Sequence, residues 1–235
     1  MSRSPYLQGD SITETSLMRI SIIIPVFNDA EALKVLLPQL APYRIETIVV
    51  DGGSHDSPEH IAKKFGTNYI ISELGRAKQM NAGAAKATGE VLLFLHGDSE
   101  LPIAFDKLIK DAMDHALWGR FDVRLSGSQP MFRVIEWMMN HRSELTGICT
   151  GDQGIFVQSK VFKQLGGFPD IPIMEDIELS KGMPGAPYCI RQKLTTSSRR
   201  WEQNGIWKTI ILMWTLRLRY FLGTRPEQLV KQYYG

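Results

Sequence analysis

The sequence predicts an α/β protein with a mostly parallel, Rossmann-like central sheet flanked by helices. Strand and helix signals alternate regularly over the first half of the chain, and the strand signals are continuous runs of Ile, Val and Leu. Such runs are typical of strands covered by helices on both faces. A chain of 235 residues with 43% hydrophobic content is long enough to bury one core of this kind.

The first half of the chain is predicted to hold four strands and three helices in alternation. Apolar runs that end in polar turns predict strands over residues 19–28, 45–54, 68–74 and 90–98. The patterns between them predict helices over residues 29–43, 57–66 and 76–89. Successive βαβ units of this kind place their strands parallel.

The second half of the chain has a different rhythm. Helices are predicted over residues 101–116, 130–145, 160–167 and from 175 onward, and strands over 119–126 and 152–159. Because the βαβ order is lost, we expect a smaller subregion with a mixed or antiparallel sheet. No linker composition separates the halves, so residues 19–200 are predicted to form one domain with halves 19–104 and 105–200.

The N-terminal segment, residues 1–18, lacks a continuous apolar stretch and is predicted to be disordered. It resembles neither a signal peptide nor a membrane span, which makes the cytoplasm the expected location. Cys149 and Cys189 lie forty residues apart without the spacing of a zinc site or a disulfide framework. Both are expected to be reduced and structural.

The C-terminal segment, residues 201–235, is predicted to form basic amphipathic helices. Residues 189–235 carry nine Lys and Arg against two Asp and Glu. Arg217 and Arg219 interrupt the apolar run, so it is too charged to span a bilayer. One interpretation is a helix packed on the domain with both arginines in water. The other is an interfacial helix on a membrane, with lipid-facing side chains Trp214, Leu218 and Phe221.

Polar segments follow the first, second and fourth predicted strands: PVFND, DGGSHDS and HGDSE. In open α/β sheets ligands bind beyond the carboxyl ends of the strands, so we expect these segments to converge on one crevice. Asp51, with Gly53 close behind it, suits contact with a nucleobase or ribose. The simpler interpretation is a tight turn in which Asp56 or Ser57 caps the next helix. No GxGxxG occurs, so this is not a dinucleotide-binding fingerprint.

Two cations, Arg76 and Lys78, open the helix predicted over residues 76–89. The free N–H groups and the dipole of a helix N-terminus attract anions, and nearby cations strengthen that attraction. The pattern therefore favours phosphate contact. The Ala and Gly residues of the same helix are explained more simply by close packing on the sheet.

His96 and Asp98 stand at the end of a buried apolar strand. They could form a turn in which Asp98 caps the following helix. Alternatively, Asp98 could help to hold Mg²⁺ or Mn²⁺, ions that one or two carboxylates bind while a diphosphate supplies more oxygens. His96 can ligate only as a neutral imidazole, and it suits Mn²⁺ better than Mg²⁺.

Glu175 and Asp176 follow a loop that is rich in Gly and Pro. Acidic residues favour the first turn of a helix, so the pair could mark a helix start and nothing more. Adjacent carboxylates are also a candidate general base, because crowding of like charges raises one pKa toward neutrality.

Five segments, in this order, closely resemble family 2 glycosyltransferases with the GT-A fold: SIIIPVFND, VVDGGSHD, GRAKQMNAGAAKATGEVLLFLHGDSELP, GDQGIFV and LGGFPDIPIMEDIEL. The likeness covers about residues 19–181 and is greatest to a short bacterial branch found near arsenosugar and radical-SAM pathways. It implies inverting transfer of a hexosyl group from a nucleotide-diphosphate sugar to a hydroxyl acceptor, either a small molecule or lipid-linked. A nucleic-acid partner is not expected.

The resemblance also implies roles for individual residues. Residues 19–104 would bind the nucleotide and residues 105–200 the acceptor. The donor would be bound by Pro25, Asn28, Glu31, Asp51, Gly53, Arg76, Lys78, Asp98, Asp152 and Gln153. The family's DxD motif corresponds to His96, Gly97 and Asp98, which makes Asp98 the expected ligand of Mg²⁺ or Mn²⁺ with His96 beside it. In the Glu175 and Asp176 pair, Asp176 would be the general base.

The acceptor side is expected to be built by residues 119–170. Three large side chains there are expected in the core and not in a binding surface: Trp137, Met138 and Met139. Arg199, Arg200 and Trp201 suit either a phosphate contact or a solvated basic edge.

Two other classes of function stay open. A sugar nucleotidyltransferase has a similar sheet and uses Mg²⁺, but such enzymes usually carry a Gly-rich basic loop where this chain has PVFNDAEAL. A non-catalytic nucleotide-sugar binder, or a membrane-docked protein, is favoured by His96 in the place of a metal-binding carboxylate.

Overall fold

The apolar runs form the strands of one seven-stranded sheet in a computed structural model that describes residues 18–234. The strands are β1 (Ile20–Val26), β2 (Glu46–Asp51), β3 (Asn68–Ile71), β4 (Val91–Phe94), β5 (Trp118–Leu125), β6 (Phe156–Gln158) and β7 (Tyr188–Thr196). Their order across the sheet is β3-β2-β1-β4-β6-β5-β7. Strands β1 to β4 are parallel, β6 is antiparallel to β4 and β5, and β5 is parallel to β7. The predicted α/β class, with a mixed second half, is confirmed.

Helices pack on both faces of this sheet. In the described part of the chain they are α1 (Ala30–Leu40), α2 (Pro58–Lys64), α3 (Arg76–Lys86), α4 (Phe105–Met113), α5 (Pro130–Thr146), α6 (Ser159–Gln164), α7 (Glu175–Gly182), α8 (Arg199–Asn204), α9 (Ile206–Phe221) and α10 (Pro226–Tyr234). Two short 3-10 turns, Ala41–Tyr43 and Gly151–Gln153, complete the regular structure.

The core lies on both sides of the central strands, because successive side chains of a strand point to opposite faces. Ile22 and Leu93 pack with the helices α1 and α4, whereas Ile23 and Leu92 pack on the side of α3. All four side chains are fully buried. Each such burial contributes about 1.5–3 kcal/mol relative to an exposed side chain. Strand β4, fourth of seven, is therefore the buried centre from which His96 and Asp98 emerge.

The small residues of α3 allow it to approach the sheet closely. A Cβ placed on Gly83 would lie 2.5 Å from Cγ2 of Ile23 and 2.9 Å from Cγ2 of Val50. These distances are too short for any larger residue. The predicted close packing of this helix is confirmed, and it fixes the position of Arg76 at the first residue of α3.

Strand β7 has no counterpart among the predicted elements. Its sequence, YCIRQKLTT, has a mixed pattern of buried and exposed residues because the strand forms an edge of the sheet beside β5. The register between β5 and β7 shifts between Phe121 and Asp122. The sheet runs without interruption across the predicted boundary at residue 104, since β4 pairs with β6.

The predicted disordered tail, residues 1–18, lies outside the described residues except for Met18, which packs against the core. At the other end, α9 attaches through the buried Thr209 and Leu216, and α10 through the buried Leu229. Within residues 18–234, no helix is long and apolar enough to cross a bilayer.

Candidate active site

The loops that follow β1 and β2 are bonded to each other. Asn28 donates its backbone N–H to Ser54 Oγ at 2.9 Å, and its Oδ1 accepts the backbone N–H of His55 at 2.9 Å. Asp56 Oδ2 accepts the backbone N–H of Ala30 at 2.8 Å. Asp56 therefore bonds to the start of α1. Ser57 stands at the predicted N-cap position of α2, but its side chain makes no capping hydrogen bond.

Asp51 is the buried centre of this loop pair. Its Oδ1 accepts hydrogen bonds from the backbone N–H of Ser54 at 3.0 Å and from Ser54 Oγ at 2.5 Å, and its Oδ2 accepts one from the Tyr69 hydroxyl at 2.7 Å. Burial acts to raise the pKa of Asp51, but these hydrogen bonds bring it below its ordinary value. Both carboxylate oxygens are thus engaged by the protein.

The other residues predicted for the nucleoside side are spread around these loops. Pro25 is half-buried in β1, and Gly53 is exposed at a φ of 91° with open space where a Cβ would stand. Glu31 is exposed on α1 and pairs with Lys34, while Lys78 pairs with Glu73.

A cavity of about 870 Å³ opens beyond the carboxyl end of β4, bordered by α5, α7 and α9. This is within the usual size of small-molecule sites. It is lined by six of the predicted site residues: Arg76, His96, Asp98, Asp152, Glu175 and Asp176. It is not lined by Pro25, Asn28, Glu31, Asp51, Gly53, Lys78 or Gln153. The structure therefore brings Arg76 together with the predicted metal and base residues. It leaves outside the predicted nucleoside residues, Lys78, which was predicted for phosphate contact, and Gln153.

The start of α7 places Asp176 in the cavity wall. Met174, just before the helix, has a φ of 69°, a left-handed backbone that a residue with a side chain adopts only under strain. Asp176 Oδ2 accepts the backbone N–H of Gly151 at 2.9 Å, and Oδ1 accepts that of Ile177 at 2.8 Å. Two backbone N–H donors thus orient this carboxylate. Glu175 and Asp176 mark the start of a helix, as one interpretation predicted, and Asp176 also faces the cavity.

Glu175 is buried and holds Arg76, with Oε1 3.5 Å from Nη1 of the arginine. Burial, followed by the charge of Asp176, raises the pKa of Glu175. Burial acts to lower the pKa of Arg76, but Glu175 and the other nearby negative groups raise it overall. Arg76 therefore stays charged at the cavity wall, anchored from behind by Glu175.

His96 is enclosed by the 3-10 turn at Gly151–Gln153. Its Nδ1 lies 3.3 Å from Oδ1 of Asp152, and its Nε2 is buried without a hydrogen-bond partner among the described residues. A Cβ on Gly151 would lie only 2.6 Å from Nε2. Burial acts to raise the pKa of Asp152, but His96, Arg76 and Arg217 bring it down to about 2.

Asp98 presents the carboxylate that suits a hard divalent cation, and Asp29 lies beside it. The pKa of Asp29 is raised, first by burial and also by the charge of Asp98, while Arg199 at 3.5 Å acts to lower it. His96 fits less well, because one nitrogen faces Asp152 and the other faces Gly151. Within residues 18–234, no three His, Cys, Asp or Glu side chains are grouped to hold a metal. Protein carboxylates alone would leave most ligand positions to a bound diphosphate. The alternative in which Asp98 caps a helix is wrong, since α4 begins only at Phe105.

Gln153 does not reach a ligand in this conformation. It is fully buried, accepts the backbone N–H of Thr150 at 3.1 Å through Oε1, and donates to Ser143 Oγ at 2.9 Å. The expectation of three core side chains on α5 is corrected for Trp137, which is exposed, and for Met138, which lines the cavity. Met139 packs against the core as expected, and it also lines the cavity.

Sequence reasoning missed three charged residues of this region: Asp29, Arg142 and Arg217. Asp29 adjoins Asn28 in the same polar segment, which was a usable signal. Arg217 was placed in water by one interpretation of the C-terminal helix, yet it lines the cavity. Arg142 carries no motif, so only the packing of α5 could reveal it.

Comparisons with known proteins agree with this architecture. Residues 21–163 match the model of the family described as glycosyl transferase family 2. An uncharacterised glycosyltransferase of Mycobacterium tuberculosis is 30% identical over 90% of this chain and 88% of its own length. The glycosyltransferase AglE of Haloferax volcanii is 35% identical over 36% of this chain and 32% of its own length.

Among solved structures, S. aureus TarS in complex with UDP-GlcNAc is similar with a TM-score of 0.62 and 20% identity, over 77% of this chain and 58% of the TarS chain. That likeness shows the fold, and it confirms the expected GT-A architecture. The chain thus spans about a third of the archaeal relative and less than two thirds of the TarS chain. With more than half of its residues matched by the family model, this chain belongs to glycosyl transferase family 2.

Proposed function

We propose that this protein transfers a hexosyl group, with inversion, from a nucleotide-diphosphate sugar to an acceptor hydroxyl. The observation that carries the proposal is the cavity at the end of β4, in which Asp98, Arg76 and Asp176 share one space. A charge-neutralising group for a diphosphate and a base for an acceptor are the two components that such a transfer requires.

In the proposed reaction Asp176 is the general base. The acceptor oxygen forms a bond to the anomeric carbon as the bond from that carbon to the diphosphate oxygen breaks, and the hydroxyl proton passes to the Asp176 carboxylate. Backbone donors at 2.9 Å and 2.8 Å hold this carboxylate in place. A positioned base of this kind contributes roughly 10²- to 10⁴-fold to the rate.

The leaving nucleoside diphosphate gains negative charge, and Arg76 is the cation placed to neutralise it. Its guanidinium is held by Glu175 at 3.5 Å, and a fixed cation in a secluded site stabilises developing charge without reorganisation. Asp98, with Asp29 beside it, would hold Mg²⁺ or Mn²⁺. Such an ion, when bound, supplies further charge neutralisation at the diphosphate.

Uridine nucleotides are the first donors to test, because the similar TarS was solved in complex with UDP and with UDP-GlcNAc. Nucleoside binding by the loops after β1 and β2 is part of the proposal, since Gly53 has open space beside it. The acceptor hydroxyl in this proposal belongs to a small or a lipid-linked molecule.

The proposal is tested by calorimetric titration of a panel of nucleoside diphosphates with and without Mn²⁺, followed by mass spectrometry of mixtures with the matching nucleotide sugars. We expect one base to bind preferentially, Mn²⁺ to strengthen binding, and the matching sugar nucleotide to be consumed. Nucleotide binding that ignores Mn²⁺, without turnover on any acceptor, would support the non-catalytic binder instead. Release of pyrophosphate from a nucleoside triphosphate would support the nucleotidyltransferase.

We further propose that α9 contacts an anionic membrane surface from one side. Three apolar side chains of this helix are about 60% exposed: Trp214, Leu218 and Phe221. Large exposed apolar side chains on a basic helix suit the interface of a bilayer. Co-sedimentation with anionic vesicles at low salt tests this contact, and protein that stays in the supernatant would exclude it. The cytoplasmic location and the bacterial branch expected from the sequence stay predictions.

A further inference from the structure

Three arginines that line the cavity have no part in the proposed transfer: Arg142, Arg200 and Arg217. Arg200 already donates to the carbonyl oxygen of Tyr233 at 2.9 Å, which leaves the other two. Arg142 comes from α5 and Arg217 from α9, and side chains of both helices line the cavity. Both guanidinium groups feel the charges of Asp176 and Asp152. The arginine pair therefore lies on the acceptor side, next to the proposed base.

Three of the four carboxylates that line the cavity are already engaged with other groups, and the fourth, Asp98, is the proposed metal ligand. Asp152 faces His96 at 3.3 Å, Glu175 faces Arg76 at 3.5 Å, and Asp176 accepts two backbone N–H groups. Nε and Nη2 of Arg142 are buried and have no hydrogen-bond partner among residues 18–234. Buried guanidinium donors of proteins are nearly always paired. Those of Arg142 therefore point to a group that is not part of the described chain.

The two arginines also repel each other. Burial, followed by the charge of Arg217, lowers the pKa of Arg142 to about 10, so it stays protonated at neutral pH. Keeping two like charges in a partly desolvated cavity is unfavourable, and a bound anion would add to the compensation that Asp176 and Asp152 give. Guanidinium groups bind phosphate through paired N–H donors, which suits two arginines that approach one anion from two helices.

The wall next to the arginines is apolar. It is lined by side chains of α5 and α9, among them Val134, Met138, Trp207 and Trp214. Val134, Trp207 and Trp214 are 48%, 66% and 60% exposed, so this wall continues to the outer surface. A cavity that joins a cationic end to an exposed apolar wall is complementary to a molecule with an anionic head and an apolar chain.

We propose that Arg142 and Arg217 bind a phosphate group of the acceptor, and that the wall formed by α5 and α9 holds an apolar chain attached to that phosphate. The hydroxyl that receives the sugar would lie beside this phosphate, within reach of Asp176. The identification of this molecule as the acceptor rests on the proposed function. The phosphate site itself does not.

The test is a titration of the full chain with hexyl phosphate, followed by the fluorescence of the cavity tryptophans Trp201, Trp207 and Trp214. Inorganic phosphate and hexanol are titrated in parallel. We expect hexyl phosphate to bind saturably, and each of the two partial molecules to bind about 10-fold more weakly or not at all. Because an ionic hydrogen-bonded contact is lost, Arg142→Gln and Arg217→Gln should each weaken binding of hexyl phosphate about 10-fold or more.

The matched control is Arg219→Gln, which removes the same charge from the same helix at a position outside the cavity wall. It should change affinity less than two-fold. If Arg142→Gln fails to fold, Arg142→Lys replaces it in the test. This variant keeps the positive charge and loses the forked N–H donors of the guanidinium, so we expect it to fold and to bind hexyl phosphate with intermediate affinity. An equal loss in Arg219→Gln, or unchanged affinity in Arg217→Gln, would overturn the site. If inorganic phosphate bound as tightly as hexyl phosphate, the proposed contact with an apolar chain would be overturned. If hexanol bound as tightly as hexyl phosphate, the proposed phosphate contact would be overturned.

This titration contains no nucleotide, so its result does not depend on whether the proposed function is correct. Binding of hexyl phosphate without binding of any nucleoside diphosphate would contradict the transferase proposal and leave the arginine site in place. Nucleotide binding and turnover, with hexyl phosphate unbound, would contradict only the inference about the acceptor.

Discussion

The loops after β1 and β2 differ from the cavity lined by α5 and α9 in how far their buried polar groups are hydrogen-bonded. At the loops, Asp51 accepts three hydrogen bonds. Gln79 of α3 donates to the carbonyl oxygens of Val26 and Val50, at the ends of β1 and β2, at 2.8 Å and 2.9 Å. In the cavity, the buried atoms without a hydrogen-bond partner in the described chain include His96 Nε2, Nε and Nη2 of Arg142, and Glu175 Oε1, which has only its ion pair with Arg76.

The difference indicates where ligand binding has most to gain. A satisfied polar group that meets a ligand must first give up a hydrogen bond, so the net gain is small. An unsatisfied buried group already bears the cost of desolvation, and a ligand that pairs with it removes that cost. The loops therefore act first as a scaffold, and the cavity is the place where affinity and chemistry are concentrated.

The largest effect is expected on the cavity side of this comparison. Asp176→Asn should lower the rate of nucleoside diphosphate release from the matching sugar donor by roughly 10²- to 10⁴-fold, because the amide cannot accept the acceptor proton. Its affinity for nucleoside diphosphate should stay within about two-fold. Asp170→Asn, at an exposed carboxylate outside the cavity, is the control and should keep full turnover. Joint loss of nucleotide binding and turnover would indicate that Asp176 is structural.

On the scaffold side, Asp51→Asn should lower the free energy of unfolding by about 1–3 kcal/mol, since it disturbs a buried acceptor of three hydrogen bonds. Thermal unfolding measures this effect. Tyr69→Phe removes only one of those bonds and should cost less. If Asp51→Asn instead keeps its stability and loses nucleotide affinity more than 10-fold, the carboxylate serves the ligand first, and the comparison of loops with cavity fails at this residue.

Where the two regions meet, Gly151→Ala should destabilise the protein by about 1–3 kcal/mol because the new Cβ would overlap His96 Nε2 at 2.6 Å. The matched control is Gly182→Ala in α7, where the nearest atom, Leu165 Cδ2, is at an ordinary 3.6 Å. That variant should be neutral or slightly stabilising. Equal melting temperatures for the two variants would mean that the imidazole moves aside freely and is not enclosed by the turn.

The smallest expected effect is a pH dependence. The pKa of Asp152 is about 2 in the folded protein against 3.8 ordinarily, so its ionisation stabilises the fold above pH 4, and this contribution is lost as the pH falls toward 2. Discounted for a side chain that is 47% exposed, the contribution is about 1 kcal/mol. The stability difference between wild type and Asp152→Asn, from urea unfolding, should therefore shrink between pH 4 and pH 2. A difference that stays constant over this range would exclude the pairing with His96 as its source.

The part of the fold that follows from local pattern could be predicted from the sequence. Continuous apolar runs identified β1, β2 and β4, and the same runs placed His96 and Asp98 at one strand end with Asp51 at another. Strand β7 could not be predicted, because an edge strand with several exposed residues lacks the pattern of a buried one.

The candidate site was predictable to the extent that its residues stand in motifs. Arg76, Asp98 and Asp176 do, and they line one cavity. Gln153 also stands in a motif, but its side chain serves the turn, which depends on the Ser143 hydroxyl from α5. Arg142 and Arg217 lie on helices whose facing sides are decided by tertiary packing alone, so no spacing in the sequence separates them from surface arginines.

The docking of α10 has a practical consequence for work with this protein. Arg200 donates to the Tyr233 carbonyl oxygen at 2.9 Å and stacks over its ring at 3.7 Å, and Tyr233 lines the cavity. Truncation before residue 226 would therefore remove Tyr233 from the lining of the binding space. Chemical probes attached near Tyr233 would report on occupancy of the cavity.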